Sequence, residues 1–221
     1  MLASFLDPAT CSLKICGVTR ASDAERLAEL GVDALGVNFW PKSKRFLDPS
    51  AAAFLEPLAG RILRVGVFVN AGTELPRQLM EKGWLDAVQL HGDEPVSDLE
   101  TLAAAGVPVI RALSSASASF EVAPHECELM AALLLDAHAP GIYGGTGQTI
   151  NWTAAGTFIH QHPQLSILLA GGIVPSNAAE AIRTVRPCAL DIASGAESSP
   201  GVKDFEKVSL LLQACTESTA H

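Results

Sequence analysis

The feature that most restricts this chain is a series of eight short apolar runs, each followed by an amphipathic stretch. The runs are Leu13–Cys16, Ala34–Phe39, Arg64–Val69, Ala87–His91, Pro108–Leu113, Leu133–Asp136, Ser166–Leu169 and Ala189–Ile192. They are short and nearly continuous in hydrophobicity, as strands buried on both faces are. The stretches between them carry helix signals. Ala21–Leu30 has apolar residues at helical spacing and stops at Gly31. Asp48-Pro49-Ser50 opens a second helix, with proline in its first turn. Further helices are predicted over Glu74–Lys82, Pro95–Ala105, Asn151–His160, Asn177–Val185 and Lys203–Cys215. The fifth falls somewhere in Ala116–Leu129, where Pro124 interrupts it.

Parallel neighbours need a long crossover, so regular alternation of strand and helix builds a parallel sheet. Eight units in one series predict an α/β fold, a single (β/α)8 TIM barrel over residues 1–221, with residues 1–12 as an N-terminal extension. The competing arrangement is a doubly wound open sheet. No G-x-G-x-x-G follows the first run and no linker divides the chain, which favours the barrel.

Composition narrows the partners. Apolar residues make up 48% of the chain and charged ones 18%, enough apolar side chains to fill a barrel and its helical shell. The net charge of −9 and the lack of a basic patch argue against nucleic acid. An anionic substrate would have to be held by local donors. The cysteines, Cys11, Cys16, Cys127, Cys188 and Cys215, are odd in number and form no C-x-x-C pair. Neither a disulfide framework nor a zinc site is expected. Met1–Thr10 does not read as a signal peptide, and no apolar segment is long enough for a membrane span. A reduced, cytoplasmic protein with no membrane partner is expected.

The ends of the predicted strands carry the chemistry. In a barrel these ends and their loops share one rim, where function collects. The first run ends in Lys14-Ile15-Cys16-Gly17 and the second feeds the basic loop Lys42-Ser43-Lys44-Arg45. The fourth ends in Gln89-Leu90-His91, the sixth in Asp136, the seventh in Gly171-Gly172, and the eighth in Asp191 with Ser194-Gly195 beyond it. Glycine-rich turns let backbone N–H groups approach an anion, and in barrels the loops after strands seven and eight often hold phosphate. The ordinary alternative is that these glycines serve only tight turns.

Cys16 is either a small core hydrophobe or, if its thiol is activated, a general base. Asp136 either caps a turn or acts as the matching acid. Arg45 is suited to a substrate carboxylate, because a guanidinium binds that group with two parallel hydrogen bonds; otherwise it is a solvated loop charge. His91 reads as a rim histidine that shapes the site, with direct chemistry as the alternative. Asp191 either bonds substrate hydroxyls or organises the eighth loop. Strand parity, and with it the direction of Cys16 and Asp136, is left open.

The same residues carry a family likeness. Lys14-Ile15-Cys16-Gly17, Pro41–Arg45, Val65–Asn70, Val88–Gly92, Leu134-Leu135-Asp136, Gly144-Gly145-Thr146-Gly147, Ala170-Gly171-Gly172 and Asp191–Glu197 resemble, in order, the phosphoribosylanthranilate isomerases of tryptophan biosynthesis. The resemblance implies a (β/α)8 barrel that works without cofactor or metal. It implies an Amadori rearrangement of N-(5-phosphoribosyl)anthranilate to 1-(2-carboxyphenylamino)-1-deoxyribulose 5-phosphate. By the same resemblance Cys16 is the general base, Asp136 the general acid and Arg45 the contact to the anthranilate carboxylate. By the same resemblance the glycines of loops seven and eight hold the phosphate; the candidate substrate-binding set, taken with the reading of the strand ends, is Arg45, His91, Gly145, Gly171, Gly172, Asp191, Ser194 and Gly195. The implied partner is a small phosphosugar, and the expected assembly is a monomer or homodimer. The chain departs from the family pattern in the residues before the first strand, which have no implied role, and in Ala170, where a serine is also found.

Overall fold

The computed structural model describes residues 1–114, 120–136 and 151–218. Eight parallel strands close into a barrel in sequence order, the first pairing with both the second and the eighth. They are β1 (Ser12–Ile15), β2 (Ala34–Asn38), β3 (Leu63–Phe68), β4 (Ala87–Leu90), β5 (Val109–Ser114), β6 (Ala132–Asp136), β7 (Ile167–Leu169) and β8 (Ala189–Ile192). The expected barrel is therefore present, with no strand end displaced by more than one residue.

Strand alternation sorts the apolar side chains into two cores. Ala34, Leu63, Val65, Ala87, Ile110, Ala112, Ala132, Leu134, Leu168 and Ala189 cluster together on one face of the sheet, the barrel interior. Their chain neighbours, such as Leu35, Val88, Leu133, Leu135 and Leu190, join the larger cluster that packs against the helices. Many of the interior residues are small, which suits a narrow closed barrel.

The shell contains α1 (Leu2–Phe5), α2 (Ala21–Glu29), α3 (Glu74–Glu81), α4 (Val96–Ala104), α5 (Pro124–Cys127), α6 (Trp152–Gln161), α7 (Ala178–Val185) and α8 (Phe205–Ser218). Three elements differ from expectation. The segment Pro49–Leu58 is a 3-10 helix with Pro57 inside it. Proline has no N–H for either helical ladder, and in an α-helix its ring clashes with the carbonyl four residues back. Of the fifth predicted helix, the described residues form the single turn Pro124–Cys127; the start of its expected span lies outside them. Lys203 leaves the closing helix: Glu197–Ser199 and Val202–Lys203 form a two-stranded hairpin, β9 and β10.

The N-terminal extension has a structural role that the sequence reading left blank. Phe5 on α1 is only 2% exposed and joins the interior cluster with Ala34, Leu63 and Ala189; Leu2 and Leu6 pack beside it. Ser166 donates a hydrogen bond to the Leu6 carbonyl, fixing the segment beside β7. The extension thus supplies an aromatic side chain to a barrel lined largely by small ones.

Candidate active site

Cys16 and Asp136 both line a cavity of about 570 Å³ at the carboxyl ends of the strands. Its walls include Arg45, His91, Gly171, Gly172, Asp191, Ser194 and Gly195. Parity is thereby decided. Asp136 follows Leu134 by two residues on β6 and shares its inward face; Cys16 follows Lys14 in the same way on β1. Gly145 lies outside the described residues, as does the rest of the glycine loop 144–147.

A line of polar contacts crosses the barrel beneath the cavity. The Lys14 ammonium donates to Asp191 Oδ1 at 2.7 Å and to Gln89 Oε1 at 3.0 Å. Gln89 Nε2 lies 2.7 Å from His91 Nδ1, and His91 Nε2 lies 3.1 Å from Asp136 Oδ2. Strands β8, β1, β4 and β6 are thus joined through side chains. Lys14, Gln89, Asp136 and Asp191 are all buried, so each polar group requires the partner it has. Asp191 is the counter-ion of a fully buried lysine on the neighbouring strand. Burial is the largest single influence and works against the charged form of Lys14, but Asp191 and Cys16 together outweigh it and hold the ammonium above its ordinary value.

Cys16 is flanked by two cations. Burial pushes its thiol up, while Lys14 and then Lys203 pull in the other direction and Asp191 adds to the rise. The net direction is upward, so the resting site holds a thiol, with ammonium groups placed to stabilise a thiolate once it forms. Lys203 also donates to the Cys16 carbonyl, at 2.6 Å. Gly36 on the adjacent strand makes room for this arrangement. A Cβ there would stand 2.8 Å from Cys16 Sγ and 3.1 Å from Lys14 Nζ.

Arg45 is not a free loop charge. Its Nε and Nη2 bond both oxygens of Glu197, with contacts of 2.9, 3.1 and 2.6 Å. Lys203 Nζ takes the same carboxylate at 2.8 Å, and the Gly201 amide adds a further donor. Burial alone would raise the Glu197 carboxyl, but the Arg45 and Lys203 contacts hold it below the usual range. Gly17, at φ +74°, lies where any Cβ would collide with the Arg45 side chain. The loop after β2 is thus tied to the hairpin after β8, with Arg45 on the cavity wall.

The two glycine turns also meet there. Gly171 and Gly172 adopt positive φ, 87° and 65°, a conformation that glycine enters without strain. Ser194–Ala196 forms a short 3-10 turn after β8, and Glu197–Ser199 then enters the hairpin. A Cβ on Gly195 would run into the Ile173 carbonyl, so the seventh and eighth loops approach through that glycine.

Four positions that build the site were given no role by the sequence: Gly36 and Lys203, and Gln89 and Glu197, which lay within the quoted motifs. Gln89 and Gly36 look like ordinary strand residues. Glu197 and Lys203 stand far from Arg45 and Cys16 along the chain and meet them only through the hairpin. Among the described residues no group of three or more His, Cys, Asp or Glu side chains is placed to hold a metal ion.

Fold and site together define a phosphosugar-type barrel, with a thiol, a carboxylate and two glycine turns around one hollow. A family model described as N-(5'phosphoribosyl)anthranilate (PRA) isomerase matches residues 13–214, and the chain belongs to that family. An N-(5'-phosphoribosyl)anthranilate isomerase from Myxococcus xanthus is 46% identical over 208 residues, covering 91% of this chain and 94% of its own. The crystal structure of phosphoribosyl anthranilate isomerase from Thermus thermophilus superposes with a TM-score of 0.79 at 38% identity, covering 93% and 98% of the two chains. A phosphoribosyl anthranilate isomerase in complex with reduced 1-(o-carboxyphenylamino)-1-deoxyribulose 5-phosphate superposes at 0.76 with 31% identity, covering 94% and 99%.

Proposed function

We propose that this chain isomerises N-(5-phosphoribosyl)anthranilate to 1-(2-carboxyphenylamino)-1-deoxyribulose 5-phosphate in tryptophan biosynthesis. The observation that carries the reading is the shared cavity of Cys16 and Asp136, with the glycine turns of the seventh and eighth loops on its wall. The volume suits a small molecule of this size. A relative crystallised with a reduced form of the same product supports the ligand class.

The reaction then runs as follows. Protonated Asp136 gives its proton to the furanose ring oxygen, and the bond from that oxygen to C1 breaks. The sugar opens to a protonated imine with a free hydroxyl. Cys16, as thiolate, removes the proton from C2, and the electron pair of that bond neutralises the imine. The resulting enolamine moves a proton to C1 and becomes the ketone. Substrate and product are isomers; one proton leaves Asp136 and one arrives at Cys16, and exchange with water resets both. Lys14 and Lys203 stabilise the thiolate, Arg45 meets the anthranilate carboxylate, and the Gly171-Gly172 and Ser194-Gly195 turns hold the phosphate. The proposed enzyme is cytoplasmic and needs no cofactor.

The test is loss of the fluorescence of freshly generated phosphoribosylanthranilate on adding purified protein. Decay faster than the spontaneous breakdown, with the carboxyphenylamino ketose accumulating, is expected. A rate equal to the blank would exclude the activity.

A further inference from the structure

The polar line behind Asp136 has a direction set by donor and acceptor chemistry. The Lys14 ammonium can only donate, so Gln89 Oε1, 3.0 Å away, accepts from it. The Gln89 amide therefore turns its NH2 toward His91 Nδ1, 2.7 Å away. Nδ1 must present a lone pair, which leaves the ring proton on Nε2, 3.1 Å from Asp136 Oδ2. Reversing the amide would set its N–H against an ammonium, and reversing the tautomer would set N–H against N–H.

We propose that Gln89 is a positioning residue for the acid: it fixes His91 as the Nε2–H tautomer and so confines the acidic proton of Asp136 to Oδ1. The inference rests on the isomerase reading of Asp136. A proton on Oδ2 would point at the His91 N–H, so the acid form carries it on the other oxygen. Once Asp136 has protonated the sugar, the new carboxylate keeps the His91 hydrogen bond. His91 does not take the acid's proton, because Nε2 already has one and Nδ1 is covered by the Gln89 amide. A histidine beside a carboxylic acid thus stabilises its conjugate base without draining it. The charged and titratable groups facing this pair are Asp136 on β6, Lys14 and Cys16 at β1, and Asp191 on β8.

The tautomer can be read directly by nitrogen NMR of protein labelled at histidine, without substrate, with His91 assigned by its loss in His91→Gln. An unprotonated Nδ1 with a protonated Nε2 is expected at about pH 7. A proton on Nδ1 would overturn the proposal. Gln89→Glu keeps the shape and still accepts from Lys14, but it offers a carboxylate to Nδ1. The ring should then be protonated on both nitrogens, with kcat reduced about 100-fold and KM within about twofold. A neutral ring in that variant, or a raised KM with unchanged kcat, would contradict it. Absence of isomerisation by the wild type would sink the isomerase reading and leave the tautomer measurement standing on its own.

Discussion

Lys14 and Asp191 face each other across the β1–β8 pair, with 2.7 Å between Nζ and Oδ1, and Cys16 stands one inward position above Lys14. The ion pair is therefore part of the electrostatic setting of the thiol. Burial raises the thiol, Lys14 opposes that rise most, and Asp191 adds to it less. With Cys16 proposed as the base, needed as thiolate, and Asp136 as the acid, needed with its proton, kcat/KM of the free enzyme should follow a bell-shaped pH profile and fall on both the acid and the alkaline side; a profile with a single limb would contradict one of the two roles.

The double variant Lys14→Met/Asp191→Asn removes both charges without leaving one buried alone. Since the influence of Lys14 is the larger, the Cys16 thiol should move further up. Alkylation of the Cys16 peptide by iodoacetamide, followed by mass spectrometry across pH, should show its midpoint shifted to higher pH. An unchanged or lower midpoint would refute the assigned role of Lys14.

Gly36 is required for space rather than for conformation. In Gly36→Ala the added methyl meets Cys16 Sγ at 2.8 Å and Cys16 Cα at 3.2 Å. Overpacking of this kind costs about 1–3 kcal/mol. The stability loss should fall in that range in denaturant titration, with kcat reduced more than tenfold because the base is displaced. Wild-type kcat would show that the strand yields without moving the sulfur.

Arg45 and Glu197 separate binding from stability. Arg45→Ala should raise KM, read from initial rates, with a smaller change in kcat. Glu197→Gln removes the common partner of Arg45 and Lys203. The Arg45 side chain keeps 14% exposure, so the expected loss is about 2–3 kcal/mol, less than for a fully buried pair. The sign with pH is fixed by the lowered Glu197 carboxyl. Its contribution is fully present above the ordinary carboxylate range and is lost as pH falls through the lowered value. Urea unfolding of wild type and Glu197→Gln should therefore converge in acid.

Phe5 tests the extension. It is almost fully buried in the barrel-interior cluster, so Phe5→Ala should destabilise by about 3–5 kcal/mol with kcat unaltered. A loss below about 1 kcal/mol in urea unfolding would show that the extension does not hold the barrel closed.

The barrel was legible because its cause is repetitive: eight apolar runs of similar length have few ways to be buried. Cys16, Asp136 and the glycine turns were legible because each ends a predicted strand. Their common cavity was not, since a one-residue slip in any short strand reverses its side chains. The partners of Arg45 were hidden for another reason. Glu197 and Lys203 reach it through a hairpin that the helical pattern of the C-terminal segment concealed. Gln89 reads as a polar residue in a buried strand, and only its place between Lys14 and His91 gives it a role.

The most direct measurement of the central claim is turnover of phosphoribosylanthranilate by Cys16→Ala and by Asp136→Asn, each checked for intact fold by circular dichroism. Loss of the base or of the acid should lower kcat by about 10²–10⁴-fold while the barrel spectrum is retained. A folded variant of either kind that turns over substrate at the wild-type rate would contradict the account.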